Sequence, residues 1–278
     1  MGERPVIGFL TDFGLDGAAA ICRGVMLSIA RDAQIVDISH VVRKFAIADG
    51  AYLLASAVPW LPIGVHVAVV DPGVGTERRP IGIRTARGDI LIGPDNGLLL
   101  PAAERLRGVT DARLIENRDW MLPATSATFH GRDVFAPVAA HLATGDPYEA
   151  VGPPIDPATL VRLDLPHATV ATGRLATGVT YVDSFGNLRL AGGVAELVGA
   201  LGPVEPGTRL EIELPPVGTA AASRVEGVRW LHTFGEAAER DLLLYEDSSG
   251  NLAIAESSGD AARRLGVGQA APIGIRRA

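Results

Sequence analysis

Several carboxylates, two arginines and a histidine stand where they could move a proton or hold a cation. Asp12 lies in Thr11-Asp-Phe-Gly14, just after the apolar run Val6 to Leu10, and Asp71 opens Asp71-Pro-Gly-Val-Gly-Thr76, just after Val65 to Val70. Asp37 lies inside a third apolar run, with His40 just beyond it. Any one of these could be a turn or helix-cap residue; together, at the ends of strand-like runs, they point to a ligand site. The glycine-rich segment after Asp71 lets backbone approach a ligand, but it lacks the Gly-Lys-Ser/Thr of a phosphate loop and is no dinucleotide fingerprint. Arg78 and Arg79 follow, near enough for one guanidinium to fold back onto Asp71. Thr128-Phe-His-Gly-Arg-Asp133 sets His130 in a loop before a helical pattern, where a histidine is a structural residue or a proton carrier. Gly93-Pro-Asp-Asn-Gly97 reads as a tight turn.

A second group lies toward the C-terminus. Asp183-Ser-Phe-Gly-Asn187 sets an aromatic face between a carboxylate and an amide. Phe185 could stack on a base while Asn187 reads its edge and Asp183 holds a cation; a polar hairpin turn is the plainer reading. Glu246-Asp-Ser-Ser-Gly-Asn251 equally suits a hairpin turn.

These residues need elements to hold them. Buried-strand runs at Val6 to Leu10, Ile35 to Ile38 and Val65 to Val70 alternate with helical patterns at Ala18 to Ala30 and Ile47 to Ala57, the signature of a parallel α/β sheet. Ile81 to Thr85 and Ile90 to Ile92 flank the turn-like Ala86-Arg-Gly-Asp89, which predicts a hairpin, and a further helix is predicted over Val134 to Leu142. Between Gly152 and Pro166 the chain turns proline-rich and loses periodicity, so residues 1–168 are expected to form the α/β domain and 169–278 a smaller one. Beyond the boundary, short segments such as Arg209 to Leu214, Leu242 to Tyr245 and Leu252 to Ile254 predict an antiparallel β-barrel or sandwich.

Composition narrows the partners. A net charge of −7 with scattered arginines argues against nucleic acid, and no run of about twenty apolar residues could span a bilayer. Met1 to Pro5 lead straight into Val6 to Leu10, too short a core for a signal peptide, so a cytoplasmic location is expected. The single cysteine, Cys22, reads as a core residue.

Taken in order, Thr11-Asp-Phe-Gly14, Val69-Val-Asp-Pro-Gly-Val-Gly-Thr76, Pro94-Asp-Asn-Gly97, Thr128-Phe-His-Gly-Arg-Asp133 and Asp183-Ser-Phe-Gly-Asn187 resemble the SAM hydroxide adenosyltransferases, relatives of the fluorinase and chlorinase. The similarity runs from about residue 5 to the C-terminus. It implies hydrolysis of S-adenosyl-L-methionine (SAM) to adenosine and L-methionine by attack of activated water or hydroxide on C5′. It also implies a homotrimer, with active sites between the N-terminal domain of one subunit and the β domain of its neighbour. The hydrolytic set of the family falls on Asp71, Arg78 and His130, with Asp71 and His130 expected to orient the water and take its proton and Arg78 to stabilise the developing hydroxide. The halogenating relatives lack the aspartate and the arginine and carry an extra loop for which the stretch from Arg79 to Pro94 has no room.

By the same resemblance Asp12 binds the ribose hydroxyls, Phe45 packs near the sugar, and Phe129 and Phe185 flank the nucleoside. Asn187 reads the adenine and Glu256 meets its edge. Asp183 and Ser248 receive the methionine moiety, with Asp16 nearby; the basic residue that follows the serine in the halogenating relatives is Ser249 here. No cofactor is expected, SAM being the substrate, and no metal, because no compact ligand motif such as H-E-x-x-H occurs. The alternatives are a halide-dependent adenosyl transferase of the same fold, a SAM or adenosine sensor without turnover, and, more remotely, a metal-dependent phosphohydrolase.

Overall fold

The computed structural model describes residues 4–216 and 223–278; the first residues of the segment tested above for a leader lie outside this range. The chain forms two compact units, Met1–Leu163 and Asp164–Ala278.

The first unit holds β1 (Val6–Thr11), α1 (Ala18–Ile29), β2 (Gln34–Ser39), α2 (Ile47–Ala57), β3 (Val65–Val69), β4 (Pro80–Thr85), β5 (Ile90–Pro94), α3 (Leu100–Arg105), β6 (Val109–Leu114) and α4 (Ala136–Ala143). The strands lie in the order β2-β1-β3-β5-β4-β6. β2, β1, β3 and β5 are parallel, and β4 runs antiparallel to both β5 and β6. The expected parallel sheet and its hairpin are thus present.

Strand side chains alternate between faces, and here both faces are covered. Ile7, Phe9, Val65, Val67 and Val69 pack with Cys22 and Met26 of α1 and with Ala136, Ala139 and Ala140 of α4. Leu10, Ala68 and Val70 pack on the other side with Leu54 of α2 and Ala102 and Ala103 of α3. Burial on both faces is why these strands read as nearly continuous apolar runs. Cys22 is fully buried, and burial pushes its thiol pKa up to about 12, which leaves it an inert core residue.

The helix expected over Val134 to Leu142 begins differently. Gly131–Phe135 form a π-helical turn, and α4 follows with Pro137 in its first turn. Proline lacks the N–H that a helix interior requires but fits a helix start, so the wider turn precedes it.

The second unit holds β7 (Thr169–Ala171), β8 (Arg174–Val182), β9 (Leu188–Leu190), α5 (Val194–Leu201), β10 (Arg209–Leu214), β11 (Arg224–Trp230), β12 (Leu242–Glu246), β13 (Leu252–Glu256), α6 (Ala261–Leu265) and β14 (Pro272–Arg277). The order β14-β10-β11-β12-β13-β9-β8 closes through pairing of β14 with β8, and β7 adds to the start of β8. The domain is therefore a closed barrel rather than a sandwich. Its neighbours are antiparallel except β11 and β12, which run parallel, a departure from the all-antiparallel expectation. Along β10, Leu210, Ile212 and Leu214 fill the core while Arg209 is exposed. Among the described residues no helix is long and apolar enough to cross a membrane.

Candidate active site

Where β1 and β3 end, the chain leaves the sheet through Asp12 and Asp71. With Lys44, Phe45, Phe129 and His130 these line a cavity of about 310 Å³. A crevice beyond the carboxyl ends of parallel strands is where such sheets bind ligands.

Asp71, Arg78 and His130, distant in sequence, meet here. Arg78 Nε donates to Asp71 Oδ1 at 3.1 Å and Nη2 to Oδ2 at 2.5 Å, while Nη2 also donates to His130 Nδ1 at 3.1 Å. The pair is nearly enclosed, with side chains 7% and 5% exposed. Arg78 stands behind the cavity wall, with its guanidinium 5.3 Å from the Phe135 ring centre, and does not line the cavity itself.

Two glycines make this approach feasible. Gly75 has φ +79°, and a Cβ there would sit 2.5 Å from the carbonyl oxygen of Ala127, so the turn after Asp71 can touch the segment before His130 only with glycine. A Cβ on Gly131 would meet Cζ of Phe13 at 2.7 Å. Thr76 shapes the same turn, donating to the Gly73 carbonyl at 2.7 Å and accepting from Arg78 N at 3.3 Å. Buried Asp133 anchors the histidine loop by accepting from Ser126 N at 2.7 Å and from Arg132.

This geometry fixes the tautomer of His130. A guanidinium offers only donors, so His130 Nδ1 must be accepting and the ring proton sits on Nε2. Burial and then the Arg78 charge lower the His130 pKa and favour that neutral ring. The one acceptor of a neutral His130 is thereby engaged, and Asp71 and His130 both line the cavity. Arg78 holds Asp71 and His130 together, and its Nη1 is buried without a hydrogen-bond partner among the described residues.

Asp12 Oδ2 accepts from Phe45 N at 2.9 Å. Phe45 has φ +65°, a left-handed conformation rare outside glycine, and the residue is 69% exposed where it lines the cavity. Asp37 and His40 lie outside the cavity wall: His40 is hydrogen-bonded to Asp37 at 3.1 Å and to Thr11 Oγ1 at 2.9 Å, and Arg23 pairs with Asp37. They brace the end of β1 that carries Asp12. Asp16 sits on the exposed turn before α1, also outside the wall.

Arg79 turns away from Asp71 to Asp95, which also accepts from Val161 N at 2.9 Å, and Asn96 Nδ2 donates to the Val70 carbonyl at 2.9 Å. The Gly93 to Gly97 turn thus also clamps the end of β3 and the proline-rich stretch.

In the barrel unit, the turns between β8 and β9 and between β12 and β13 border a cavity of about 960 Å³. Asp183 Oδ1 accepts from Phe185 N at 2.9 Å and Asn187 N at 3.0 Å; Oδ2 accepts from Asn187 Nδ2 at 3.0 Å and Arg189 Nη2 at 3.1 Å. A carboxylate has about four lone-pair directions, and all four are engaged. Asp183 organises the loop and also lines the cavity. The same contacts turn the amide N–H groups of Asn187 inward and leave its Oδ1 as the open acceptor, suited to an exocyclic amine. Phe185, 75% exposed, presents its ring. Ser248 lines the cavity. Glu256 borders the same cavity; its side chain is 1% exposed, paired with Arg240 and Arg264 at 3.1 Å each, and it accepts from Asp260 N, which anchors the turn after β13.

Sequence reasoning passed over Lys44, Arg189, Phe234 and Tyr245, which also line these cavities. Phe234 and Tyr245 pack with ring centres 5.0 Å apart and ring planes tilted by 58°, and Arg189 lies between Asp183 and Asp247. Among the described residues no group of three or more His, Cys, Asp or Glu could hold a metal ion.

A ligand crevice on a mostly parallel sheet, followed in sequence by a closed barrel with its own cavity, defines a two-unit α/β binding architecture. Residues 7–152 match the model of the SAM hydroxide adenosyltransferase N-terminal domain and residues 177–274 that of the C-terminal domain. The chain belongs to the SAM hydroxide adenosyltransferase family. It is 46% identical over 268 residues, 96% of each chain, to an (R)-S-adenosyl-L-methionine hydrolase of Salinispora tropica. A fluorinase of Actinopolyspora mzabensis is 32% identical over 67% of this chain and 71% of its own. The crystal structure of an uncharacterized conserved protein from Thermotoga maritima superposes with a TM-score of 0.89 at 33% identity, covering 98% of this chain and 100% of the other.

Proposed function

We infer that the protein hydrolyses S-adenosyl-L-methionine to adenosine and L-methionine. The observation that carries this reading is the joining of Asp71, Arg78 and His130 by hydrogen bonds at the wall of the sheet-end cavity. The sulfonium leaves as a neutral thioether and needs no acid. Water is the difficult partner: it must lie in line with the C5′–S bond and lose a proton as the C–O bond forms. Fixing such a pair is worth on the order of 7–11 kcal/mol at ideal alignment. Asp71 takes the proton, and the Nε2–H of His130 donates to the water oxygen and aims its lone pair at C5′. A carboxylate on the wall repels a halide, which favours water as nucleophile.

Asp12 receives the ribose hydroxyls, Phe45 and Phe129 border the sugar and base, Phe185 stacks, the open Oδ1 of Asn187 accepts from the adenine amine, and Ser248 meets the methionine moiety. The cavities at the sheet end and in the barrel are the two halves of one site, supplied by different copies of the chain in a homotrimer. The enzyme works in the cytoplasm, where SAM is made, and uses no metal or cofactor.

Incubation in oxygen-18 water tests the chemistry: adenosine should carry the label at its 5′ oxygen, and unlabelled adenosine or 5′-methylthioadenosine would overturn it. The pH profile tests His130. Because its pKa is lowered from 6.5, the ring stays neutral as pH falls below that value; protonation at lower pH sets a second cation against Arg78 and removes the Nδ1 acceptor. An acid limb of kcat below about pH 6.5 is expected, and it should vanish in His130→Asn. A limb centred above that value, or one unchanged in the variant, would remove His130 titration from the account.

A further inference from the structure

We propose that Lys44 receives the carboxylate of the substrate, an assignment that rests on SAM being that substrate. The chain has 25 lysines and arginines together, and Lys44 is its one lysine. It lines the sheet-end cavity with Asp12, Asp71 and His130. It is exposed and has no partner among the described residues. Its neighbour Arg43 is instead committed to the buried Asp49, with Nη2 donating to Oδ1 at 2.8 Å.

The charges of SAM make an unpaired ammonium in this place informative. The molecule carries a sulfonium, an ammonium and a carboxylate. Two of these repel a lysine, so a lysine in the cavity wall opposes binding unless the third neutralises it. The other cavity offers no substitute. Its lining arginine, Arg189, is held between Asp183 and Asp247, and the residue after Ser248 is the uncharged Ser249. Buried Arg78 is engaged with Asp71.

The backbone places Lys44 for this task. Phe45 N is bonded to Asp12 Oδ2, and Phe45 holds a left-handed φ, so the Lys44–Phe45 link is fixed beside the ribose carboxylate. From there a flexible four-carbon stem lets a compact charge reach a ligand in the cavity that Lys44 lines.

The test compares wild type, Lys44→Met and Lys44→Arg on two substrates: SAM and its decarboxylated analogue, which keeps the sulfonium and the amine. Loss of one charge-assisted hydrogen bond should raise the KM of Lys44→Met for SAM about tenfold, with the loss in KM rather than in kcat. Lys44→Arg should retain most of the affinity, and Lys44→Met should show no KM increase for the decarboxylated analogue. An unchanged KM for SAM in Lys44→Met, or equal increases for both substrates, overturns the assignment while leaving hydrolysis intact. If wild-type enzyme released no adenosine from SAM, the functional reading and the Lys44 assignment would fall together.

Discussion

Asp71→Asn is expected to lower kcat for SAM cleavage on the order of 10³-fold, within the range of a general base, and to leave adenosine binding nearly as it was. Asparagine keeps the shape but cannot take the proton of the attacking water. It also leaves the Arg78 guanidinium, enclosed behind the wall, without its anion, so thermal unfolding must accompany the kinetics to separate lost chemistry from lost fold. Arg78→Lys should fail to restore more than a small part of the rate lost in Arg78→Ala. One ammonium cannot reproduce Nε on Oδ1 together with Nη2 shared between Oδ2 and His130. Residues acting as one unit give non-additive losses, so the Asp71→Asn, Arg78→Ala double variant should be little slower than the worse single one. Single-turnover assays on folded protein, with calorimetry for adenosine, measure all of this. Asp71→Asn enzyme that kept more than about a tenth of wild-type turnover would remove Asp71 as the base.

The largest expected stability effect lies at the other end of β3. His66, the second residue of that strand, and Asp89, in the turn between β4 and β5, are both fully buried and 3.0 Å apart, Nε2 to Oδ1. Arg87 donates to both oxygens of Asp89, at 2.7 and 2.8 Å, and reaches the carbonyls of Val58 and Pro59 beyond α2. Burial opposes the charge of Asp89, yet hydrogen bonds from His66 and Arg87, with their charges, hold its carboxyl well below the usual carboxylate range. Asp89→Ala strips the anion from both partners, and breaking a buried ion pair costs about 3–5 kcal/mol. At about 2–4 °C per kcal/mol for a unit of this size, Tm should fall by roughly 10 °C. Because the folded pKa is depressed, the contribution of the cluster is complete above the ordinary carboxylate pKa and is lost only as pH falls through the lower folded value. Calorimetric scans of wild type and Asp89→Ala at pH 7 check the magnitude. A shift under about 2 °C would mean that the cluster stabilises less than one ordinary surface contact.

Much of this could be read from residue order alone. β1, β2 and β3 were legible because burial on both faces writes them as short apolar runs, and Asp12 and Asp71 stood out because they end such runs. The hairpin of β4 and β5 was legible from Arg87-Gly-Asp89, although the turn gave no hint that Asp89 would be the centre of a buried cluster. The partners of a buried charge come from other strands, and His66 is twenty-three residues away. The same reason hid Arg189, whose ties to Asp183 and Asp247 cross between turns. Lys44 carries no motif in the sequence, and its place on the cavity wall comes from the tertiary structure. The engaged oxygens of Asp183 and Glu256 were equally invisible, since a motif identifies a carboxylate and not its neighbours. The π-helical turn before α4 had a local cause in Pro137, but helical periodicity alone does not separate such a turn from an α-helix.

The sheet of the first unit, unlike the barrel, does not close on itself. It ends at β2, which among the described residues pairs only with β1, and a strand with an open edge is a template onto which another chain can dock by backbone pairing. Asp37, placed on that strand with Arg23 and His40 around it, is a charge of the kind that blunts such an edge. The same carboxylate that steadies the end of β1 through His40 is thus also a charge set on an open strand, a device that disfavours chains joining sheet to sheet.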